Sequence, residues 1–322
     1  MNPMRKKAGL QATLLATAVM AVQLLPLPAS ALTFNIVYGD VSGNTGEGFD
    51  DDALGADRRA VVTDVTDYLS SVIDSPGTID LQVQNSWDID NGPLGNGGTY
   101  FFDGPPGYSS GLAQQHAETG QKPFNGIADA FLRLNFAYDY NLSDADPASN
   151  QFDLFSVVLH EIAHGLGFIT LLDQNGNSRV SPSNPGTFTV FDSYLIRGDG
   201  TRLFDDGGTF LGTSADLTSD DIFYNGPAAV AQNGGDPLKV FAPTTYQPGS
   251  SLSHLDASVF SDAVTQPSLL IGTSRRAFTD VELALLVDIG YDLTTSAIPA
   301  PSSLVLFAFG AFGLRIRKKA KA

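Results

Sequence analysis

The sequence predicts an α+β fold, and two observations support that prediction. Strand-like segments come early in the chain with helical segments around them, rather than in a regular strand–helix alternation. The second half, from residue 167 to about residue 251, is rich in Gly, Asn, Asp and Pro and contains only short strand-like pieces. We therefore expect a sheet with helices around it, followed by a loop-rich C-terminal part.

The first elements are predicted from the spacing of apolar residues. Residues 32–40 alternate as a strand does, residues 58–73 have helical spacing, and residues 78–87 read as the next strand. The stretch from there to about residue 121 is rich in Gly, Asn and Asp, so we expect a long loop. Residues 130–138 are predicted to form another strand.

Two helices are predicted further along the chain. Residues 153–166 have helical spacing, with Asp153 or Asn150 available as the N-cap. Gly165 and Gly167 can end that helix in a left-handed turn. Residues 278–291 are predicted to form a last amphipathic helix.

The chain is strongly acidic between its two ends. Its formal net charge is −17, but eight of its 18 Lys and Arg residues lie in the first ten and the last eight residues. The region between them has ten basic and 35 acidic residues, a net charge of about −25. Such a charge repels nucleic acid and anionic lipid, so neither is expected as a partner. The acidic cluster at residues 49–57 is a candidate structural Ca²⁺ site; the alternative is a hydrated loop.

The N-terminus has the three parts of an export signal. Residues 5–7 are basic, residues 12–25 are apolar, and Ala29 and Ala31 are small residues before a cleavage site. We predict a signal peptide at residues 1–31; the alternative is an uncleaved membrane anchor. The chain has no cysteine, so an exported protein of this sequence must hold together without disulfides.

The C-terminus has a second processing signal, at residues 298–322. A Pro-rich lead precedes an apolar run at residues 304–314, which is shorter than the ~20 residues that span a bilayer, and a basic cluster follows. The segment resembles the PEP-CTERM sorting signal of Gram-negative bacteria, although its tripeptide is Pro299-Ala300-Pro301 and lacks the glutamate. The resemblance implies export, processing by an exosortase-like enzyme, and only transient contact with the membrane. The alternative is a short permanent tail anchor.

Between these two signals lies the predicted mature domain, residues 32–297. We divide it into an N-terminal part, residues 32–168, and a loop-rich C-terminal part, residues 169–297. The two signals together predict a protein that is secreted, or retained at the cell surface or in the extracellular matrix of a Gram-negative bacterium.

The helix predicted at residues 153–166 contains the pattern His160-Glu161-x-x-His164. Side chains four residues apart project from one face of a helix, so both imidazoles can reach one metal ion. Glu161 lies about 60° to the side of His164, close enough to contact a water on that metal. Zinc lowers the pKa of its water to about 7, and the carboxylate can take the proton as the water attacks a carbonyl. The alternative is a core helix whose histidines are hydrogen-bonded to neighbours.

A catalytic zinc site usually has three protein ligands, so a third must be found. A glutamate on a following helix is one arrangement, but the next glutamate is Glu282, far downstream. The compact arrangement HExxHxxGxxH fails because Thr170 occupies its last position. His116 lies in a polar segment and is expected to be a surface histidine, which leaves His254 by elimination. Two carboxylates, which can also bind zinc, are the fallback ligands: Asp173 and Asp192.

The segments HEIAHGLGF and GSSLSHLD, separated by a long insertion, and the terminal ELALLVDIGYDL resemble the leishmanolysin family of zinc endopeptidases. The resemblance covers about residues 152–293. It implies a metzincin-like fold with a twisted mixed sheet, an active-site helix and a loop-rich C-terminal subdomain. It also implies zinc on His160, His164 and His254, with Glu161 as the base and a protein or peptide as the substrate.

Two features depart from that family. Its members are typically rich in cysteine, and this chain has none. Metzincins have a methionine turn beneath the zinc, whereas all three methionines here lie in the predicted signal peptide. We expect residues 267–272 to take that place, with Leu269 or Leu270 as the apolar floor. A Leu-for-Met exchange commonly costs less than ~1.5 kcal/mol.

Two other functions are open from the sequence. One is a non-enzymatic surface or matrix protein on a decayed protease scaffold, which the intact Glu161 argues against. The other is a zinc hydrolase of a non-peptide substrate, because the HExxH pattern specifies the attacking water and not the acyl group. An EF-hand loop at residues 173–178 is rejected, because Ser178 occupies the glycine position and no glutamate follows.

Overall fold

The computed structural model describes residues 31–85 and 92–298. Residues 1–30 of the predicted signal peptide and residues 299–322 of the predicted sorting signal therefore lie outside the described residues. In the part of the chain that is described, no helix is both long and apolar enough to cross a membrane.

The described residues form eleven strands and seven α-helices. The strands are β1 (Thr33–Tyr38), β2 (Thr78–Asn85), β3 (Gly95–Thr99), β4 (Gly107–Ser109), β5 (Ala130–Leu134), β6 (Tyr140–Asn141), β7 (Phe152–Asp153), β8 (Thr187–Thr189), β9 (Leu195–Arg197), β10 (Ile222–Tyr224) and β11 (Leu238–Lys239). The helices are α1 (Gly39–Gly43), α2 (Gly55–Val72), α3 (Leu112–Thr119), α4 (Leu154–Leu166), α5 (Val190–Ser193), α6 (Pro227–Gln232) and α7 (Asp280–Ile289).

Four strands form the main sheet, in the order β1-β2-β5-β3. β1, β2 and β5 are parallel, and β3 runs antiparallel to β5 at the edge of the sheet. In β2, Ile79, Leu81 and Val83 are buried while the residues between them are more exposed, as expected of a strand with one face on the core. The expectation of an α+β fold with a mixed sheet is confirmed.

The core lies between the main sheet and two helices. α4 packs on β3 and β5, and α2 packs on α4. α2 buries Val61, Val62, Val65 and Leu69, which share one face at helical spacing. α4 is buried on nearly all sides, so the sequence with the HExxH pattern runs through the interior.

Most predicted elements occur close to their predicted positions, but the expected long loop before residue 121 was wrong. β3, β4 and α3 lie there. β3 has the sequence Gly-Asn-Gly-Gly-Thr, which has low strand propensity. It forms because it pairs with β5 and because α4 packs very closely on it. A Cβ atom at Gly97 would lie 2.1 Å from the backbone oxygen of Glu161, so glycine is required at this contact.

The second half of the domain is rich in loops, as expected, with small sheets and three helices between them. β9, β10 and β11 form an antiparallel sheet in the order β11-β10-β9. β4 pairs with β8, which connects the segments before and after α4. α6 packs against α7, so the last helix also holds the insertion in place.

Candidate metal centre

Helix α4 is held at both ends. Its N-cap is Asp153, whose carboxylate accepts the backbone N–H of Ser156 at 3.0 Å. Arg276 forms an ion pair with the same carboxylate, which ties the start of α4 to the segment before α7. Gly167 ends the helix with φ 114°, in the left-handed region, whereas Gly165 remains helical.

The structure brings the three predicted histidines together. The Nε2 atoms of His160, His164 and His254 are 3.2 Å apart in all three pairs. His164 and His254 are buried, and His160 is half-buried. Two of the nitrogens come from one face of α4 and the third comes from a segment 90 residues further on. Three nitrogen atoms therefore converge on one point.

The second ring nitrogen of each histidine faces a backbone carbonyl oxygen. The Nδ1–oxygen distances are 2.8 Å for His160 with Val264, 2.6 Å for His164 with Phe168, and 2.7 Å for His254 with Ser250. Because a carbonyl oxygen only accepts, each Nδ1 carries the proton and each Nε2 has the lone pair. Burial lowers the pKa of all three imidazoles, that of His164 to about 3. The group can thus offer three neutral donors to a metal ion.

Glu161 lines the same cavity as the histidines and is 7% exposed. Burial raises the pKa of its carboxyl to about 8, and a hydrogen bond from the backbone of Gly97 partly opposes that rise. A Cβ atom at Gly95 would lie 2.9 Å from Oε1 of Glu161. The glycines of β3 therefore leave the room that this carboxyl occupies.

His254 is positioned by backbone hydrogen bonds to two other segments. Phe241 donates its N–H to the oxygen of His254 at 2.8 Å, and Leu252 donates to the oxygen of Phe241 at 2.8 Å. On the other side, Leu255 donates to the oxygen of Thr265 at 2.9 Å. Because Phe241 follows β11 closely, the small sheet of the insertion supports this histidine.

Glu282 supports the turn that holds His160. The carbonyl of Val264 accepts from His160, and the next residue, Thr265, donates its N–H and its hydroxyl to Oε1 of Glu282 at 2.7 and 2.8 Å. Oε2 accepts the N–H and the hydroxyl of Thr279, both at 2.9 Å, in a capping box at the start of α7. Glu282 thus lies behind the site and is not among the candidate ligands.

The expected floor of the site was partly wrong. Leu270 is 64% exposed, so it cannot form an apolar floor. Leu269 lines the cavity, and Val264, which is 3% exposed, accepts a hydrogen bond from His160 through its backbone carbonyl. The loop at residues 267–272 reaches the surface, and the turn before it, at Val264, provides the contact with His160.

Neither fallback carboxylate is grouped with the three histidines. Asp192 is fully buried and accepts hydrogen bonds from the N–H of Leu171 at 3.0 Å and from the hydroxyl of Thr170. Burial raises the pKa of Asp192. The carboxylate of Asp173 accepts the backbone N–H groups of Asn175 and Asn177 in its own turn. Both carboxylates therefore stabilise local backbone.

His116 is buried, so the expectation of a surface histidine was wrong. It lies in α3, which packs on β2, and its Nδ1 contacts Oδ2 of Asp129 at 2.7 Å. Asp80 completes a second group of candidate ligand atoms with these two residues. Lys122 forms an ion pair with Asp80, and Oδ1 of Asp129 has no partner among the described residues. The ammonium group of Lys122 therefore already supplies a positive charge to this cluster.

Within residues 31–85 and 92–298, ligand atoms close enough to share an ion occur in these two groups. Neither group includes the acidic cluster at residues 49–57. Asp51 of that cluster accepts the backbone N–H groups of Ala53 and Leu54, which is the role of a turn residue. The structural Ca²⁺ ion stays a prediction.

The histidines and Glu161 lie in a cavity of about 720 Å³. One wall is formed by residues 92–97, which include the first half of β3, and the others come from the segments around His254 and Val264. A cavity of this size can hold a small ligand or a few residues of a peptide.

Sequence reasoning missed three parts of the cavity and its support. β3 was read as loop because its glycines suggest turns, and Glu282 was considered only as a direct ligand. Arg275, which also lines the cavity, belongs to no motif. The one signal that could have found β3 was the run Gly95-Asn96-Gly97-Gly98, whose small residues allow a helix to pack closely on a strand.

Similarity to a known protein family extends over part of this region. A family model described as SPBPB7E8-like matches residues 107–191, about a quarter of the chain. No curated protein and no solved structure matches the chain significantly. The matched region includes β4, α3 and the whole of α4. The chain is therefore similar to this family in the part that carries His160, Glu161 and His164, while His254 lies beyond the match.

Proposed function

We propose that the protein is an exported zinc endopeptidase that uses Glu161 as its general base. One observation carries the proposal: the Nε2 atoms of His160, His164 and His254 converge at 3.2 Å beside a buried carboxyl group. Burying three imidazole lone pairs against one another is unfavourable without a partner. A divalent cation would supply that partner.

The donor set fits zinc. Tetrahedral zinc with bonds of about 2.0–2.1 Å to histidine requires ligand nitrogens about 3.3 Å apart. The three separations of 3.2 Å agree with that requirement. Each Nδ1 donates to a backbone carbonyl, the kind of interaction that orients metal-binding histidines. Three protein ligands leave one position open, as in catalytic zinc sites.

Zinc in such a site would supply Lewis-acid chemistry, making water acidic near neutral pH and polarising a carbonyl oxygen. The charge of the bound cation would lower the pKa of the neighbouring Glu161 carboxyl, so that the carboxylate could take the proton of the attacking water and pass it to the leaving amine as the C–N bond breaks. The hydrogen bond from Gly97 holds its carboxyl towards β3, and burial keeps bulk water away from it. Replacing Glu161 should therefore stop hydrolysis without loss of the zinc ion.

A peptide is the substrate that the cavity suits best. β3 lies at the edge of the main sheet, with β5 as its partner on one side. Gly95, Asn96 and Gly97 of β3 line the cavity. An extended peptide can add to such an edge through backbone hydrogen bonds, which would place its carbonyl groups along the cavity.

The same proposal includes where the enzyme works. Residues 32–297 would be the mature enzyme, delivered by the export machinery and processed at its C-terminus by an exosortase-like enzyme. The strongly acidic, cysteine-free composition is compatible with a secreted or surface protein that is held together by its core. The resemblance to the leishmanolysin family supports the same reaction.

Metal analysis of the purified protein, together with casein hydrolysis, tests the proposed reaction. We expect about one zinc per chain and hydrolysis that EDTA abolishes. Glu161→Gln should keep the zinc and lose about 10²- to 10⁴-fold in rate. Zinc binding without Glu161-dependent hydrolysis would contradict the protease function and leave a metal-binding protein.

Histidine variants test the ligand assignment. His254→Ala removes one of three donors, so zinc affinity should fall by more than about 100-fold. His116→Gln changes a histidine outside the group and should keep one zinc per chain. Unchanged affinity in His254→Ala would refute the assignment. Hydrolysis of a small ester, with casein left intact, would favour a non-peptide substrate.

A further inference from the structure

We propose that Arg275 binds a carboxylate of the substrate beside the scissile bond, so that the enzyme prefers acidic peptides. This assignment rests on the proposed function and names its substrate class. Of the described residues that line the cavity, Arg179 and Arg275 are cationic, and Glu161 is the one that is acidic. The central region of the chain has a net charge of about −25. The cavity lining thus has the opposite charge balance to the rest of the domain.

Of the eight other basic residues in the described chain, most are paired with carboxylates. Five of them form ion pairs: Lys122, Arg197, Arg202, Lys239 and Arg276. Arg275 instead donates to the backbone oxygens of Ser268 at 3.3 Å and Ser261 at 3.2 Å. Arg179 donates to the hydroxyl of Tyr246 at 2.9 Å. Among residues 31–85 and 92–298, neither arginine forms an ion pair, although acidic residues greatly outnumber basic ones.

Arg275 is half-buried, and its charge is incompletely balanced. Burial lowers the pKa of its guanidinium, while the charges of Asp262 and Glu282 partly oppose that effect. Both oxygens of Glu282 already accept hydrogen bonds from Thr265 and Thr279. A guanidinium has five N–H donors in a planar fork, so two bonds to carbonyl oxygens leave donors for another acceptor. A substrate carboxylate would give this partly desolvated cation a partner.

Arg275 lies close to the proposed reaction centre. Its backbone N–H donates to the hydroxyl of Ser156 at 2.6 Å, and Ser156 is one turn before His160 on α4. Ser156 and Leu269 line the cavity next to these residues. A substrate side chain adjacent to the scissile bond can therefore reach the guanidinium.

The carboxylate can come from two sources. One is the side chain of an Asp or Glu within the peptide, and the other is the free carboxylate at the end of a short peptide. Both have the planar geometry that pairs with both arms of a guanidinium. An amidated C-terminus removes the second source and leaves the first.

Matched peptides test the preference. The probes are internally quenched eight-residue peptides of neutral sequence that carry a single Glu or its neutral isostere Gln at successive positions, with a free or an amidated C-terminus. Mass spectrometry locates the cleaved bond. We expect kcat/KM to be about tenfold or more higher for Glu than for Gln at one position beside that bond, with either C-terminus. A preference that depends only on the free C-terminus would assign the site to the chain end, and equal rates throughout would overturn the proposal.

Variants assign the preference to Arg275. Arg275→Gln should reduce the Glu/Gln ratio of kcat/KM to about 1, and Arg275→Lys should keep part of it. Arg202→Gln removes an exposed positive charge outside the cavity and should keep the ratio of the parent protein. Because each ratio is taken within one variant, a general loss of stability or zinc does not change it. An undiminished ratio in Arg275→Gln would overturn the assignment.

Binding without turnover separates this proposal from the proposed reaction. Zinc-loaded Glu161→Gln protein should bind the labelled Glu peptide about tenfold more tightly than the Gln peptide in fluorescence anisotropy. If no peptide is hydrolysed and this difference is present, the endopeptidase function fails and the carboxylate site stands. If the two peptides bind equally, the carboxylate site fails whatever the outcome for hydrolysis.

Discussion

Replacing Glu282 by glutamine should destabilise the domain and weaken its metal centre, although Glu282 is not a proposed ligand. The carboxylate is fully buried and accepts four hydrogen bonds, two from Thr265 and two from Thr279. A glutamine of the same shape presents one oxygen and one NH₂ group. A threonine hydroxyl can rotate to accept from the NH₂ group, but a backbone N–H cannot.

The size of the effect follows from that count. One buried backbone N–H loses its acceptor, which costs about 1–3 kcal/mol. The remaining hydrogen bonds change from charge-assisted to neutral, each losing roughly 0.5–1 kcal/mol. We therefore expect Glu282→Gln to lower the free energy of unfolding by about 3–5 kcal/mol. The turn at Thr265 also carries the Val264 carbonyl that orients His160, so zinc affinity should fall about 10- to 100-fold.

Two assays measure these effects. Urea unfolding of the EDTA-treated protein, followed by circular dichroism, gives the stability, and competition with a chromogenic chelator gives the zinc affinity. Asp280→Asn is the matched control, because it removes the same charge from the same helical turn at an exposed position. If Glu282→Gln and Asp280→Asn had equal stability and equal zinc affinity, Glu282 would have no role in supporting the site.

Three further predictions concern packing, pH and the start of α4. Gly97→Ala should lower the free energy of unfolding by about 1–3 kcal/mol in the same urea assay, because the new Cβ atom would meet the backbone of Glu161. Gly104→Ala is the control and should have little effect, because the atom nearest to its new Cβ would be 3.9 Å away. The three clustered histidines have folded-state pKa values below the ordinary 6.5, so their contribution to the stability of the EDTA-treated protein is complete above pH 6.5 and is lost as pH falls. Glu161, with its pKa raised to about 8, has the opposite pH dependence and offsets the contribution of one histidine. Urea unfolding at pH 7, 6 and 5 should therefore show a loss of stability of up to about 3 kcal/mol per pH unit below pH 6, and a flat profile would contradict this prediction. Arg276→Ala should lower the free energy of unfolding by about 2–4 kcal/mol, because it leaves the buried Asp153 carboxylate without its ion-pair partner. If thermal unfolding of this variant did not differ from that of the parent protein, the ion pair would not support α4.

Local patterns in the sequence predicted the elements whose structure depends on local spacing. Helical periodicity located α2, α4 and α7, and it placed His160 and His164 on one face of α4, because side chains four residues apart coincide on any helix. The shortage of histidines in the chain pointed to His254 as the third member of the group. The glycines of β3 misled the prediction, because their role is to admit the backbone of α4 and not to form turns.

The sequence by itself determined the class of fold, the helix with its two histidines and glutamate, and the candidates for a third nitrogen. Only the tertiary structure decided that the third nitrogen lies 3.2 Å from the other two, because that distance depends on backbone pairing between segments far apart in the chain. The same applies to Glu282 behind His160 and to Arg275 inside the cavity. A side chain's partners across the fold are set by how the strands and helices pack, and no local pattern of residues records that packing.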